Sequence, residues 1–313
     1  LPWLARAHAA AASRVDCIAP AKPGGGFDLT CRLLRDMLRL PLPNPTADVE
    51  LKYLPGGIGA LAFDRAVTQQ WADPRTFVAF SSGSLLNLAQ GKFGRHPPNA
   101  VRWLATLGLE YGAIAVRKDS RFKTLQALRE QLRRNPAAAV FGAGGTVGSQ
   151  DWVKAALLVK AAGSDHRSMR FVAFEGGGQA LDALKGGHVD VFCGDVLEAS
   201  EALADGELKL IAVLAPQRLP GRLSDVPTAR EQGVDLVWST VRGLYMGPGV
   251  GARDRDAWAL TLRRIMQSPE YARLLERYGL QPHALAGPEL DDYVEGQVEQ
   301  FKDLARSLHL RIR

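Results

Sequence analysis

Val15-Asp16-Cys17-Ile18-Ala19-Pro20-Ala21-Lys22-Pro23-Gly24-Gly25-Gly26-Phe27-Asp28-Leu29 is the stretch whose reading decides the fold. Its first five residues form a short apolar run of strand type. Leu29, Leu33, Leu34, Met37 and Leu38 then recur at helical spacing. Between the two lies a turn rich in proline and glycine. Strand, glycine turn and helix in that order present bare backbone N–H groups at a helix N-terminus, where the macrodipole favours an anion.

The arrangement recurs along the chain. Pro55-Gly56-Gly57-Ile58-Gly59, Ser81-Ser82-Gly83-Ser84, Gly142-Ala143-Gly144-Gly145-Thr146-Val147-Gly148-Ser149, Gly176-Gly177-Gly178 and Cys193-Gly194-Asp195 each follow an apolar run and open a helical pattern. This alternation predicts an α/β protein with mostly parallel strands. Ligands of such sheets sit beyond the carboxyl ends of the strands. The six turns therefore face one crevice, or two facing crevices if the chain forms two domains. Backbone N–H groups and Ser or Thr hydroxyls are good ligands for carboxylate or phosphate. The alternative for any single turn is that glycine merely permits tight turning and close helix–sheet packing.

A chain of 313 residues is long for one core. Backbone-permissive stretches at Gly108–Gly112 and Ser239–Gly247 predict a chain that crosses twice between domains. Domain 1 is then 15–112 plus 238–313, and domain 2 is 113–237. Helix is also expected over Pro227–Gln232, and a short strand over Ile114–Val116. Residues 1–14 stand apart. They are alanine-rich, and Ala7-His8-Ala9 has the small-x-small form of a signal-peptidase site, so they read as the tail of a secretory signal. A frayed N-terminal helix or an expression remnant is the other reading.

Other classes are disfavoured. No run reaches about 18 apolar residues, so no spanning helix is expected. The 39 basic and 33 acidic residues give a modest +6 that suits anionic ligands, but no basic stripe interleaved with aromatics points to nucleic acid. Gly142-x-Gly144 would need its third glycine at 147, which is valine, so the dinucleotide fingerprint fails. No G-x-x-x-x-G-K-[ST], G-x-S-x-G or H-E-x-x-H occurs, and the six histidines are scattered outside the glycine turns. Neither an enzyme, a cofactor nor a metal site is expected. Asp28 and Asp195 stand at helix starts, where a carboxylate caps N–H groups; each reads as structural before it reads as acid–base. Cys17 on the first strand and Cys31 on the following helix could approach to bridging distance, or remain two buried thiols. Cys193 reads as a packed thiol.

The run Cys17 to Arg32 also resembles the signature of the solute receptors of tripartite tricarboxylate transporters, the Bug/TctC family. The resemblance continues through Leu54-Pro55-Gly56-Gly57-Ile58-Gly59-Ala60, Val101-Arg102-Trp103-Leu104, Gly148-Ser149-Gln150-Asp151-Trp152, Ala173-Phe174-Glu175-Gly176-Gly177-Gly178, Asp225-Val226-Pro227-Thr228-Ala229-Arg230-Glu231-Gln232-Gly233 and Arg242-Gly243-Leu244-Tyr245-Met246-Gly247-Pro248-Gly249. It implies a two-domain periplasmic binding fold (type II-like) that closes on a small carboxylate. It further implies delivery of that ligand to separate membrane permease subunits. The Pro-Ala-Lys-Pro-Gly-Gly-Gly turn resembles the citrate and tricarboxylate branch.

Carried onto this chain, the ligand carboxylate is held by the turns Ala21, Lys22, Gly24, Gly25, Gly26, Phe27, Asp28 and Gly56, Gly57, Ile58, Gly59. Ser81 and Ser84 add hydroxyls, and Thr146, Gly148 and Ser149 meet the ligand from the second domain. Gly177 and Asp195 stand in the remaining two turns. Many members carry Asn-Arg-Pro-Gly where this chain has Tyr53-Leu54-Pro55-Gly56, so a common basic side chain is missing. Lys22, Lys52 or Arg242 could supply the charge. Two other readings stay open: an α/β small-molecule enzyme, which needs a cofactor fingerprint or nucleophile–base pair, and a ligand-sensing module for a signalling partner.

Overall fold

The computed structural model describes residues 14–42, 47–203 and 206–312. The stretch read as a secretory leader lies outside the described residues, apart from Arg14. The strands are β1 (Val15–Ala19), β2 (Val49–Tyr53), β3 (Thr76–Ser81), β4 (Arg102–Arg117), β5 (Val140–Gly144), β6 (Arg170–Phe174), β7 (Val191–Asp195), β8 (Leu208–Leu214) and β9 (Ser239–Met246). The helices are α1 (Gly26–Leu38), α2 (Ala60–Thr68), α3 (Ser82–Ala89), α4 (Leu125–Arg134), α5 (Gln150–Ala161), α6 (Gly177–Lys185), α7 (Val196–Ala202), α8 (Ala252–Met266), α9 (Pro269–Tyr278) and α10 (Pro288–Ser307).

The opening stretch folds as its pattern dictates. Val15, Cys17 and Ala19 point to one face of β1 and pack with Leu29, Leu33, Leu34 and Met37 of α1. Ile18 points to the other face and joins a separate core. That is the period-2 alternation of a strand covered on both sides. Cys17 and Cys31 lie on the packed faces and form a disulfide, with Cα atoms 5.6 Å apart. The buried faces of α8 and α9 (Leu262, Ile265, Tyr271, Leu274) close the same core.

The strands run β2-β1-β3-β9-β4-β7-β5-β6, with β8 also on β4. The outer strands are parallel: β1 with β2 and β3, and β5 with β6 and β7. Antiparallel pairing enters at the centre, where β9 and β4 run back between the two wings. β4 belongs to both: through Tyr111 it pairs β9, and from Gly112 it pairs β7 and β8. The segment expected as a short strand at Ile114–Val116 is thus the end of a 16-residue strand. Two register shifts against β9 and one against β8 let that strand turn, one of them beside Gly108 at φ +153. The helix expected at Pro227–Gln232 shrinks to one 3-10 turn, Arg230–Gln232. Its start is drawn away by β8: Ala229 N–H donates to Val213 O, and Val213 N–H to Pro227 O. Among the described residues no helix is long and apolar enough to cross a membrane, and no group of three His, Cys, Asp or Glu could hold a metal.

Candidate functional site

The carboxyl ends of β1, β3, β5, β6 and β7 lead into one cleft, which holds a cavity of about 50 Å³. All six glycine turns reach it or abut it. From the β1–β3 side, Ala21, Gly25, Gly26, Phe27, Ile58, Ser81, Gly83 and Asn87 line it, with Arg242 from β9. From the β5–β7 side come Gly144, Ser149, Gln150, Asp151, Glu175, Gly176, Gly177 and Glu198.

The first wall is mostly backbone. Gly25 is the N-cap of α1 and supplies no side-chain cap, so the first-turn N–H groups look into the cleft. Gly26 permits this approach: a side chain there would collide with the Arg242 guanidinium. Asp28 is buried and spent on the turn itself. It accepts from Gly24 N–H (2.9 Å) and Tyr53 Oη (2.8 Å) and pairs with Arg32 (2.9 Å). In the second turn Gly56, Gly57 and Gly59 all take positive φ, and only Ile58 reaches the cavity. Ile58 itself stands at φ 51, ψ 54, a conformation that costs a β-branched residue about 1–3 kcal/mol. Ser81 and Ser84 form a capping box on α3; Ser81 lines the cavity and Ser84 lies behind it.

The second wall carries charge. Ser149 caps α5 through Trp152 N–H (3.3 Å). Thr146 is exposed and off the lining. Gly148 is also off it, but its carbonyl accepts from Gln90 Nε2 (2.7 Å), joining the two sides beside the cleft. Behind the lining lies a buried ionic net. Arg242 Nε donates to Glu110 (2.5 Å) and Nη2 to Asp195 (2.9 Å). Asp195 also accepts from Lys154 Nζ (2.7 Å), Thr240 (3.0 Å) and Gln150 Nε2 (2.8 Å). Lys154, fully buried, completes its three bonds with Gly194 O (2.7 Å) and Asp151 (2.8 Å). Glu110 accepts from Leu197 N–H (2.7 Å), fixing the start of α7. That helix presents Glu198, whose Oε1 takes the Gly26 N–H across the cleft at 2.5 Å.

The surroundings set the protonation. Burial raises Glu198 to about 8, reinforced by the Asp151 charge. Burial likewise carries Glu110 to about 7 although Arg242 opposes it. Asp151 is raised by burial against the pull of Lys154. Burial also acts to raise Asp195, but Lys154 and Arg242 outweigh it and hold the carboxyl below its usual range. Lys154 and Arg242 stay charged: burial works against that, and the facing carboxylates overcome it. Of the three cations expected from sequence, Lys22 is exposed and Lys52 on β2 pairs with Asp16 on β1 (2.6 Å); only Arg242 lines the cavity.

Residues 99–310 match the family model described as tripartite tricarboxylate transporter family receptor. The chain belongs to that family. A relative of this receptor-family chain, the UPF0065 protein in the TAR-I ttuE-ttuC' intergenic region of Agrobacterium vitis, is 26% identical over 313 residues, 96% of this chain and 86% of that protein. Among solved structures, MatC (Rpa3494) from Rhodopseudomonas palustris with bound malate has a TM-score of 0.77 at 24% identity, covering 93% of this chain and 98% of the other. R. palustris Rpa4515 with adipate has a TM-score of 0.84 at 19% identity, covering 96% and 98%. These likenesses show the fold of this family member, that of two-domain periplasmic binding proteins. Gly83, Asn87, Gly144, Gln150, Asp151, Glu175, Gly176 and Glu198 on the lining, and Glu110 and Lys154 behind it, are not among the ligand residues expected from sequence.

Proposed function

We propose that this protein is an exported receptor that captures a small carboxylate between its two domains and passes it, unchanged, to membrane permease subunits. The observation that carries the reading is the uncapped N-terminus of α1, whose Gly26 N–H already bonds a carboxylate, that of Glu198, within the cleft. The malate and adipate in the two similar structures fit this class. The Cys17–Cys31 disulfide suits an oxidising compartment such as the periplasm.

The moving bodies are 15–112 plus 238–313 and 113–237. Their strands meet where Gly112 N–H bonds Trp238 O (2.9 Å). The cavity of about 50 Å³ is far below the roughly 150 Å³ that holds benzene. A ligand therefore enters by parting the domains and is retained when they close. Citrate and related tricarboxylates follow from the sequence resemblance. The acids around the cleft oppose a trianion, so a dicarboxylate of malate size ranks first.

The test is thermal unfolding with acetate, malonate, malate, adipate and citrate. A true ligand at a hundredfold excess over its Kd should add about 2.7 kcal/mol. If none of the five moves the melting temperature at millimolar concentration, the carboxylate reading is wrong.

A further inference from the structure

Glu198 sits where the proposed function needs a ligand group. It lines the cavity from α7, and its Oε1 accepts the Gly26 N–H from a residue 172 positions away on the opposite wall. Its other oxygen, Oε2, lies over Gly177 at the start of α6; a side chain at 177 would collide with it. Neither α1 nor α6 has a side-chain cap of its own. Oε2 makes no hydrogen bond to another described residue. One carboxyl group therefore spans two bare helix starts and keeps one oxygen free beside the cavity.

We propose that Glu198 is the acid of the cleft: it holds the Gly26 N–H when no ligand is present and, protonated on Oε2, donates a hydrogen bond to the carboxylate that is captured. This rests on the carboxylate-receptor reading. The charges facing Glu198 explain why a proton is needed. The charges of Asp151 of α5, Asp195 of β7 and Glu110 of β4 act on it, Arg242 of β9 opposes them, and Lys154 of α5 pairs with Asp151 and Asp195. With every group ionised, four buried carboxylates face two cations, and the exposed Glu175 adds a further acid to the lining. A ligand carboxylate would widen that excess, and in a buried site two adjacent carboxylates cannot both stay charged without large cost. A proton shared between Glu198 and the ligand removes the conflict. Burial and Asp151 already raise Glu198 to about 8, so the proton is present near neutrality and lost in alkali.

Capture is then coupled to a proton. The acid giving the largest thermal shift is titrated calorimetrically at pH 6, 7, 8 and 9, in two buffers of different ionisation enthalpy. Affinity should hold from pH 6 to 7 and fall about tenfold from pH 7 to 9, with close to one proton taken up at pH 9. Glu198→Gln keeps a donor at that position but cannot ionise. Its affinity should vary less than about threefold over the same range, with no proton taken up; its unliganded melting curve verifies the fold. A pH-independent wild-type affinity, or a Glu198→Gln profile parallel to the wild type, overturns the assignment while the receptor reading stands. Proton release on binding also overturns it, since Glu198 would then serve as an anion facing a cationic ligand group. Absence of binding by all five acids overturns both readings together.

Discussion

The two walls of the cleft are built from different materials. On the β1–β3 side, Arg242 apart, the lining is backbone, glycine and uncharged side chains, and its one nearby acid, Asp28, is consumed in closing its own turn. On the β5–β7 side the lining carries Asp151, Glu175 and Glu198, supported by Lys154 and Asp195 beneath. The first wall offers fixed dipoles that do not change with pH. The second offers groups whose charge depends on one another. A receptor with only the first wall would hold any small anion that fitted. On the proposed reading, the second wall makes the net charge and proton count of the guest matter.

The difference is best broken at Lys154. Lys154→Met leaves Asp151 and Asp195 buried without their shared cation, and should destabilise the protein by about 3–5 kcal/mol in urea unfolding at pH 7. The deficit should shrink as pH is lowered and the stranded acids take up protons. A loss under about 1 kcal/mol would mean that the second wall does not depend on this pairing. On the first wall the strongest tether is the disulfide under the α1 turn. Cys17→Ser combined with Cys31→Ser should cost about 3 kcal/mol, and the wild type in reductant should lose a similar amount. If reductant leaves the unfolding midpoint unchanged, the bridge does not contribute. A smaller and more local change is Gly26→Ala. Its methyl group meets the Arg242 guanidinium, so about 1–3 kcal/mol of stability should go, together with ligand affinity. Lys22→Ala, exposed and off the lining, should alter neither beyond about 0.5 kcal/mol. Equal effects of these two substitutions would remove the case for a closely fitted turn.

The backbone wall was the legible one. Its turns are contiguous, and glycine between a strand pattern and a helix pattern announces itself locally. The charged net at the cleft is assembled from Glu110, Asp151, Lys154, Asp195, Glu198 and Arg242, spread over more than a hundred positions, and nothing local says that they meet. One signal was available. Lys154 stands among Trp152, Val153, Ala155 and Ala156 in a helix buried nearly all round, and a buried lysine requires carboxylate partners. Glu198 offered less, because an acid in the first turn of a helix is commonplace. The long strand β4 was hidden by its glycines. Gly108–Gly112 reads as a permissive crossing between domains, yet the bulge at Gly108 lets one strand bend without ending.

The position of β9 sets an order of events in time. β5 to β8 and their intervening helices come from one uninterrupted stretch of chain, whereas β3 and β4 both await a strand at 239–246. As the chain emerges N-terminus first, the second half of the sheet can be complete while the first still lacks its middle. A chain cut short at residue 237 would carry a finished second half beside two bare edges, on β3 and β4. Those edges are open to pairing with other chains, so truncation should be read out as aggregation rather than as weak binding.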